Sequence, residues 1–521
     1  MAPEGILTIT VFLPLAGFLL LFFVPKTATS AIKLMGLAIS TLTFLVSLVL
    51  YANFDADVSG FQFVQKADWI AGMNISYHVG IDGMSLLLIL LTTFLTPVAL
   101  LGTYNSVENR LREYTMMILV LEVGMLGVFA ALDIFLFYVF WEAMLIPMYF
   151  IIGVWGGKER IYAAVKFVLF TLFGSLLMLV AILVLGYMAS TLPGGRFTLN
   201  VLELYAISPT LPGALQGWLF LAFALSFAIK VPLFPLHTWL PDAHVQAPTV
   251  GSVLLAGVLL KMGTYGFLRF CLPLFPEAAL RYMPLFAVLA VIGIVYGALV
   301  AMVQTDIKKL VAYSSVSHLG FVVLGIFSMT EEGIQGAIIQ MINHGLSTGA
   351  LFLLVGMIYD RAHTRAIADF GGVAKIMPVY ATFFMIISLS SIGLPGLNGF
   401  VGEFLILLGA FTSTFLGTVA YTAISALGVI FAAVYLLWMY QRVMMGPVRE
   451  GGTYGGHVLK DINIRESVSL ALIVIFVVWI GVYPSTFMSK SAAFTKATVQ
   501  LMEKTRTGGP TEAPAVTEHH P

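Results

Sequence analysis

The chain has 521 residues, of which 60% are hydrophobic and only 10% are charged. A soluble domain is about 45–50% apolar and about 25% charged, so this composition excludes a soluble enzyme. The 26 basic and 26 acidic residues leave no positive field for nucleic acid, and the apolar content excludes a disordered chain. The single cysteine, Cys271, excludes a disulfide within the chain and a cysteine-held iron–sulfur cluster. A large polytopic membrane protein remains.

Hydropathy predicts about 14 transmembrane helices, because a membrane helix needs about 20 mostly apolar residues. We number them as spans one to fourteen, and the predicted fold class is an all-α polytopic membrane protein. Span one, from Ile6, is expected to be kept rather than cleaved as a signal peptide, since no basic region precedes it. The spans are predicted near residues 5–24, 31–51, 84–103, 113–131, 133–153, 162–189, 214–238, 248–271, 283–303, 308–328, 331–358, 377–411, 417–444 and 467–486.

The loops between the spans carry an asymmetric charge. Sixteen of the 26 lysines and arginines fall in odd-numbered loops and four in even-numbered loops. The positive-inside rule therefore predicts that both termini lie outside. Residues 52–83 mix acidic and aromatic side chains and are expected in water, and the end of the tail, from Arg506, is predicted to be disordered.

Spans seven and twelve are predicted to break inside the membrane. They contain the sequences KVPLFP (Lys230–Pro235) and GLPGLNG (Gly393–Gly399), and proline and glycine both weaken a helix. An offset of about 170 residues relates the two breaks, and it also maps span four onto span nine. Because five is an odd number, two successive units of five helices must have opposite orientations in the membrane. This is the arrangement of the inverted repeats of transporters. The predicted domains are 1–112 (three spans and an outside loop), 113–271 and 281–444 (the two repeats), 467–486 (the last span) and 487–521 (a polar tail).

Ionisable residues are predicted near the middle of several spans, where a charge costs roughly 2.5–3.5 kcal/mol by insertion scales. A lysine in apolar surroundings releases its proton readily, a nearby carboxylate opposes that release, and histidine relays protons near neutral pH. The set therefore predicts a chain of proton-exchanging groups. Glu122, in span four, is expected to pair with a cation. The members of the set are Glu142, Lys230, Lys261, His318, His344 and Glu403.

Two other interpretations of these residues remain open. Glu142 and Lys230 could form a static ion pair that ties helices together. His318 and His344 could ligate a haem, which would make the chain a haem-bearing membrane anchor. The sequence contains no Walker A, dinucleotide-binding or HExxH motif, and no metal site is predicted.

Four stretches resemble the antiporter-like subunits of respiratory complex I, the proton-translocating NADH–quinone oxidoreductase. The resemblance extends to about residue 486, and the long stretch in span seven is highly specific for this superfamily. The stretches are WEAMLIPMY (Trp141–Tyr149), KVPLFPLHTWLPDAH (Lys230–His244), QAPT (Gln246–Thr249) and LKMGTYG (Leu260–Gly266).

The resemblance implies a role for each matched residue in moving protons. Redox energy is implied to arrive from other chains. The implied roles are modulation of the channel lysine by Glu142, the channel lysine itself at Lys230, a central link at Lys261, terminal exchange with the outside at Glu403, and relay by His237, His318 and His344.

The resemblance also implies that this chain binds no cofactor, while NADH, FMN, iron–sulfur clusters and quinone belong to partner subunits. The implied partners are other membrane subunits of the complex, namely the L-like and N-like antiporter subunits. The implied location is the inner membrane of a bacterium, with both termini periplasmic. The alternative is a subunit of a multi-chain sodium/proton antiporter, which has the same fold and no electron transfer.

Overall fold

The computed structural model describes residues 5–449 and 453–508, and most of these residues are helical. Each predicted span overlaps one helix or two half-helices, except that span seven, predicted to end near residue 238, continues into a second half-helix that begins at Trp239. Spans one to seven occupy Ile6–Leu21, Thr29–Asn53, Gly83–Gly102, Leu111–Ala130, Ile134–Trp155, Arg160–Thr191, and the pair Gly213–Lys230 and Trp239–Gln246. Spans eight to fourteen occupy Thr249–Leu274, Pro276–Met302, Ile307–Phe327, Glu331–Ala362, the pair Pro378–Ile392 and Asn398–Thr412, Ala420–Met444, and Ile464–Val482.

Within the described residues, 12 helices are long and apolar enough to cross a membrane. Three shorter apolar helices accompany them: span one and the two halves of span twelve. Shorter connecting helices lie at Val201–Ile207 and Val373–Ile376. The all-α polytopic fold is therefore confirmed, and the count of fourteen crossings stays a prediction.

Spans seven and twelve are interrupted at the predicted positions. In span seven the helix ends at Lys230, and residues 231–238 form turns before the next half-helix begins. In span twelve the first half ends before Gly393, whose φ of 84° is easily adopted by a residue without a side chain. Such breaks place helix ends, with their partial charges, inside a membrane protein. The inverted relation between the two five-helix units stays a prediction.

Span eight is fully buried and is not a regular α-helix. Two π-helical segments, Leu255–Leu259 and Phe267–Cys271, flank the α-helical segment Leu260–Gly266. That middle segment carries Lys261. A π-helical segment bonds each amide to the carbonyl five residues back, and such segments occur frequently at functional sites.

The polar region 52–83 forms a β-hairpin, which the sequence analysis did not predict. Strands β1 (Gln62–Ile70) and β2 (Ile75–Ile81) pair antiparallel, and β2 is largely buried where it leads into span three. A second, short hairpin joins β3 (Thr453–Tyr454) to β4 (His457–Val458). Polar and apolar residues do not alternate regularly along β1, so the period-two signal of a strand was missing.

The predicted polar tail, residues 487–521, begins with a helix, for which no prediction was made. This C-terminal helix, Ser485–Thr507, follows span fourteen directly. The hydroxyl of Thr495 donates a hydrogen bond of 2.8 Å to the side-chain oxygen of Gln335 in span eleven. The helix is therefore attached to the second repeat, and the predicted tail is corrected to this extent. Residues 509–521, where disorder is predicted, lie outside the described residues.

A buried ion pair joins the start of span three to span eight. Arg269 Nη2 donates to Asp82 Oδ2 at 2.5 Å, and both side chains are under 5% exposed. The guanidinium also lies over the rings of Phe61, Tyr265 and Phe494, at 4.7, 5.3 and 5.4 Å from their centroids. Phe494 belongs to the C-terminal helix, so this cluster connects three parts of the chain.

We expect Asp82→Asn to destabilise the protein by about 3–5 kcal/mol, because it leaves the buried Arg269 charge without its counterion. Thermal unfolding of the purified complex and its subunit content on native gels measure the effect. The double variant Asp82→Leu with Arg269→Met should recover much of the loss, since it removes both charges. Asp68→Asn, on the exposed part of β1, is the control. Equal stability of Asp82→Asn and the control would contradict the prediction.

Candidate functional site

Four of the predicted residues form a connected line in the interior. Glu403 Oε1 and His318 Nδ1 lie 2.7 Å apart, and both side chains are buried. The His318 and His344 rings are 6.0 Å apart between centroids, and His344 Nδ1 lies 2.6 Å from Lys261 Nζ. Lys261 Nζ also donates to the carbonyl of Ala256, which lies in the first π-helical segment. The line crosses spans eight, eleven, ten and twelve, and we call it the buried line.

Amide and hydroxyl groups that the sequence analysis did not single out support the buried line. Gln340 Nε2 donates to Glu403 Oε1 at 3.1 Å, and Asn343 Nδ2 donates to Gln340 Oε1 at 3.3 Å. The Tyr435 hydroxyl lies 3.3 Å from His318 Nε2, so both ring nitrogens of His318 have a partner. These contacts hold the carboxylate and the imidazole in a fixed mutual orientation.

Lys230 occupies the end of the first half-helix of span seven. Its side chain is buried, and Nζ has no hydrogen-bond partner among the residues that the structure describes. Nζ lies 5.3 Å from the ring centroid of Trp141 and 5.5 Å from that of Phe167. A positive charge at the C-terminal end of a helix interacts favourably with the helix dipole. The ring faces and the dipole therefore stabilise an ammonium that lacks hydrogen bonds.

Glu142 and Lys230 do not form a direct ion pair. In the described part of the chain, no Glu142 oxygen lies within 4.0 Å of Lys230 Nζ, although the two charges do interact electrostatically. This geometry differs from the static pair considered in the sequence analysis. Because the Glu142 carboxylate and Lys230 Nζ are not in direct contact, the strength of their electrostatic interaction can change with the distance between them.

Among the predicted residues, Glu142 lies closest to the surface of the chain. It is partly buried and lines an apolar groove of about 800 Å³. The helix is interrupted beside it, ending at Ala143 and restarting at Leu145, and Pro147 removes the hydrogen bond that would cross this point. Glu142 therefore forms part of the wall of this groove, while its Oε1 is buried and has no hydrogen-bond partner among the described residues.

Two further residues lie apart from the buried line. His237 follows the break in span seven, and its ring contacts Tyr296 at 5.2 Å between centroids. In the described residues it makes no hydrogen bond to Lys230, and its Nδ1 has no partner. Glu122 is fully buried, but no cation lies within ion-pair distance of it among the residues described. The predicted cation partner of Glu122 is therefore wrong.

The buried line is suited to passing protons between neighbours. Each of its four side chains can accept or release a proton, and imidazole can do so at either ring nitrogen. Within residues 5–449 and 453–508, no group of three or more His, Cys, Asp or Glu side chains could hold a metal ion. The chemistry that this arrangement supports is the breaking and forming of N–H and O–H bonds.

Comparisons of the sequence identify related proteins. Residues 131–428 match the family model described as NADH:quinone oxidoreductase/Mrp antiporter, TM. A relative from Rhodobacter capsulatus, "NADH-quinone oxidoreductase subunit M", is 49% identical over 92% of this chain and 94% of its own length. The relative of the same name from Rickettsia prowazekii is 44% identical over 93% and 96%. "NADH-ubiquinone oxidoreductase chain 4" of Arabidopsis thaliana is 44% identical over 91% and 93%.

Comparisons of the structure agree with those of the sequence. A chain of respiratory complex I from Thermus thermophilus aligns with a TM-score of 0.85 and 35% identity, covering 95% of this chain and 99% of that one. A chain of the Mrp complex from Dietzia aligns with a TM-score of 0.79 at 20% identity, with the same coverage, and at that identity the likeness concerns the fold alone. The chain therefore belongs to the subunit M (chain 4) family of NADH–quinone oxidoreductase, the proton-translocating membrane subunits of respiratory complex I.

Proposed function

We propose that this chain carries protons across the membrane along its buried ionisable residues, driven by redox energy from other subunits of NADH–quinone oxidoreductase. The observation that carries the proposal is the buried line, in which Lys261 contacts His344 and His318 contacts Glu403. The two histidine rings between them are close enough for a proton to cross by one bridging water. The proposed proton-carrying residues are Glu142, Lys230, His237, Lys261, His344, His318 and Glu403.

In the first half of the path, we assign Lys230 as the proton-holding group and Glu142 as the group that controls it. Lys230 Nζ is buried and has no hydrogen-bond partner within the described part of the chain, so the Glu142 charge is the interaction that opposes loss of its proton. Glu142 lines a groove on the outer surface, where a neighbouring membrane subunit can approach it. An L-like or N-like antiporter subunit is the proposed neighbour. A change in charge there would change the proton affinity of Lys230.

In the second half, a proton passes from Lys261 to His344, then to His318, and then to Glu403. Each transfer breaks one N–H bond of a protonated donor and forms a new N–H or O–H bond on the acceptor, so the positive charge moves with the proton until the Glu403 carboxylate is neutralised. Glu403 lies beside the break in span twelve, where Gly393 leaves space around its carboxylate. We assign Glu403 as the group that exchanges its proton with the outside. His237, after the break in span seven, is the proposed relay next to Lys230.

The surrounding assembly is part of the same proposal. The chain is a multi-pass membrane protein, and we place it in the inner membrane of a bacterium with both termini on the periplasmic face. NADH, FMN, iron–sulfur clusters and quinone are assigned to partner subunits, and this chain itself is assigned no redox centre.

Glu142→Gln tests the proposed control of Lys230. We expect normal assembly of the complex and a reduction of NADH-driven proton pumping by at least about tenfold, because the variant keeps the shape but removes the controlling charge. Native gels measure assembly, and a pH-sensitive dye in membrane vesicles measures pumping. Glu142→Asp should keep part of the activity, since its charge lies one methylene further away. Glu332→Gln, at an exposed position, is the control.

Combining Glu142→Gln with Lys230→Met sharpens this test. Residues that act as a unit give non-additive losses, so the double variant should pump about as poorly as Lys230→Met alone. Loss of assembly in Glu142→Gln, full pumping there, or strictly additive losses would each contradict the assignment. The sodium/proton antiporter alternative predicts a different result, namely sodium-dependent proton exchange in vesicles that receive no NADH.

A further inference from the structure

Spans two and fourteen form the walls of a groove on the outer surface of the chain, and span three forms its floor. Both spans pack against span three, but they make little contact with each other in the part of the chain that the structure describes. In their most apolar stretches, only 28% of the residues of span two and 33% of those of span fourteen are buried. The groove is therefore open to molecules that are dissolved in the bilayer.

An apolar cavity of about 160 Å³ lies in this groove. At its wall, the ring of Phe94 in span three contacts Phe44 of span two and Phe476 of span fourteen, with centroids 5.6 and 4.8 Å apart. The cavity extends inward to Leu346 of span eleven. An apolar cavity of about 150 Å³ stays free of water and takes up apolar molecules of the size of benzene. The cavity is therefore suited to the end of a hydrocarbon chain.

The inner wall of the cavity belongs to a tightly packed part of the protein. Leu91 lines the cavity, and a Cβ atom at Gly345 would lie 2.7 Å from Leu91 Cδ2 and 2.9 Å from the carbonyl oxygen of Gly257 in span eight. Spans three, eleven and eight are thus in close contact behind the cavity. The atoms that line a void lose dispersion contacts on one side, and an occupant restores those contacts.

Two cations meet at the end of the groove that the positive-inside rule places inside. Lys33 Nζ and the Arg465 guanidinium lie against the ring of Tyr104, 4.8 and 5.2 Å from its centroid. Lys33 Nζ donates to the side-chain oxygen of Asn105 at 3.1 Å, and Arg465 Nε is buried without a hydrogen-bond partner among the described residues.

These two cations are not neutralised by the protein. In residues 5–449 and 453–508, no carboxylate lies within 4.0 Å of Lys33 Nζ or of the Arg465 guanidinium. Charges closer than about 10 Å interact at ordinary salt concentrations, so the two cations repel each other across Tyr104. An anion that contacts both cations removes this repulsion. The inside end of the groove is therefore complementary to a negatively charged group.

The cations and the cavity lie on one line along the groove. Lys33 precedes Phe44 by 11 residues in span two, and Arg465 precedes Phe476 by 11 residues in span fourteen. Eleven residues are about three helical turns, so the cation and the ring share one face of each helix and lie about 16 Å apart along its axis. The hydrocarbon layer of one leaflet is about 15 Å thick, half of the bilayer core. A lipid acyl chain therefore spans the distance from the cations to the cavity.

We propose that the groove between spans two and fourteen binds one anionic phospholipid from the inside leaflet of the membrane. The phosphate accepts hydrogen bonds from Lys33 and Arg465, and one acyl chain runs along the groove and ends in the cavity beside Phe94. Basic pockets between membrane helices on the inside are known to bind anionic head groups. This lipid site is separate from the proposed proton path and does not depend on it.

Photo-crosslinking in the purified, fully assembled complex tests the site. The probe is a phosphatidylglycerol with a photoreactive group at the end of one acyl chain, and a phosphatidylcholine with the same chain is the comparison. We expect phosphatidylglycerol to label the peptides that contain Phe94 and Phe476 more strongly than phosphatidylcholine does. The double variant Lys33→Gln with Arg465→Gln should reduce this labelling at least about fivefold, since each basic residue near the membrane surface attracts anionic lipid.

A matched double variant controls for the loss of two positive charges. Lys375→Gln with Arg442→Gln removes one lysine and one arginine from odd-numbered loops, outside the groove. Its labelling by phosphatidylglycerol should equal that of the wild-type chain. Equal labelling of the wild-type chain and of the Lys33→Gln, Arg465→Gln variant would overturn the proposal, because the cations would then have no part in binding.

A pair of tryptophan substitutions in span two tests the place of the acyl chain. Leu48 lines the cavity and is 40% exposed, so Leu48→Trp should fill part of the cavity and reduce labelling of the Phe94 peptide. Leu45, which is 52% exposed and does not line the cavity, gives the matched control Leu45→Trp with normal labelling. Equal labelling in both variants would show that the chain ends elsewhere. Absence of label from the wild-type groove, with label at other membrane surfaces, would show that another subunit covers it and would overturn the proposal.

Discussion

Replacing Lys230 with methionine should lower NADH-driven proton pumping at least about a hundredfold, the lower range for removing a group that transfers protons. Methionine keeps the length and the apolar stem but cannot hold a proton. In residues 5–449 and 453–508, Lys230 Nζ makes no hydrogen bond, so its removal leaves no buried hydrogen-bond partner unsatisfied and assembly should be normal. The pumping signal of a pH-sensitive dye in vesicles and the rate of coupled NADH oxidation should fall together.

Lys230→Arg separates proton exchange from a purely electrostatic role at this position. Arginine retains the charge next to Trp141 but does not release its proton, so pumping should fail here too. Lys496→Met, on the exposed side of the C-terminal helix, controls for loss of a lysine from this chain. Normal pumping by a fully assembled Lys230→Met complex would refute the assignment of this residue.

Glu403→Gln should likewise stop translocation, because an amide has nearly the shape of the carboxyl group but cannot exchange a proton. His318 and Gln340 both contact this carboxylate, and glutamine can still meet them with its oxygen, so the surrounding structure should persist. Acidification of the interior of inverted membrane vesicles after NADH addition measures the loss, which we expect to be at least about a hundredfold.

Variants that keep a titratable group at position 403 should behave differently. Glu403→Asp and Glu403→Lys should each retain partial pumping, since both side chains bind and release protons. Glu503→Gln, at an exposed position of the C-terminal helix, is the control. A Glu403→Gln complex that builds the full pH gradient would show that the outside exchange occurs at another group.

The positions of the spans were predictable because an unbroken apolar run has few alternative structures in a membrane. The breaks were also predictable, because the prolines and glycines near Lys230 and Gly393 weaken the helix at their own positions. The C-terminal helix was missed because its mean hydropathy is low and its order depends on bonds to Gln335, a residue more than 150 positions earlier in the chain.

The candidate site was predictable in its ionisable members but not in its contacts. Charge inside a membrane is costly, so Lys261 and Glu403 stand out in the sequence. Gln340 and Asn343 could have been found from their spacing with His344, which places all three on one side of span eleven. Tyr435 could not have been identified from the sequence, because tyrosine is common in membrane helices.

Other contacts could be identified only from the three-dimensional structure. The hydrogen bond from Lys261 to the Ala256 carbonyl depends on a π-helical segment that nothing in the local sequence marks. The absence of a cation near Glu122, within the described residues, also depends on where neighbouring spans lie. The sequence therefore predicts the ionisable members of the candidate site, and the packing of the helices decides which of these groups meet.

The burial of spans eight, ten and eleven has a consequence for inhibition. Protein encloses these spans on nearly all sides, whereas spans two, thirteen and fourteen are mostly exposed. A lipophilic compound dissolved in the bilayer therefore meets the outer spans first and has no short lateral route to the buried line. The groove beside Glu142 opens on this outer surface, where such a compound would compete with the proposed neighbouring subunit. Compounds aimed at the buried line itself should instead be water-soluble and should act from an aqueous face of the membrane.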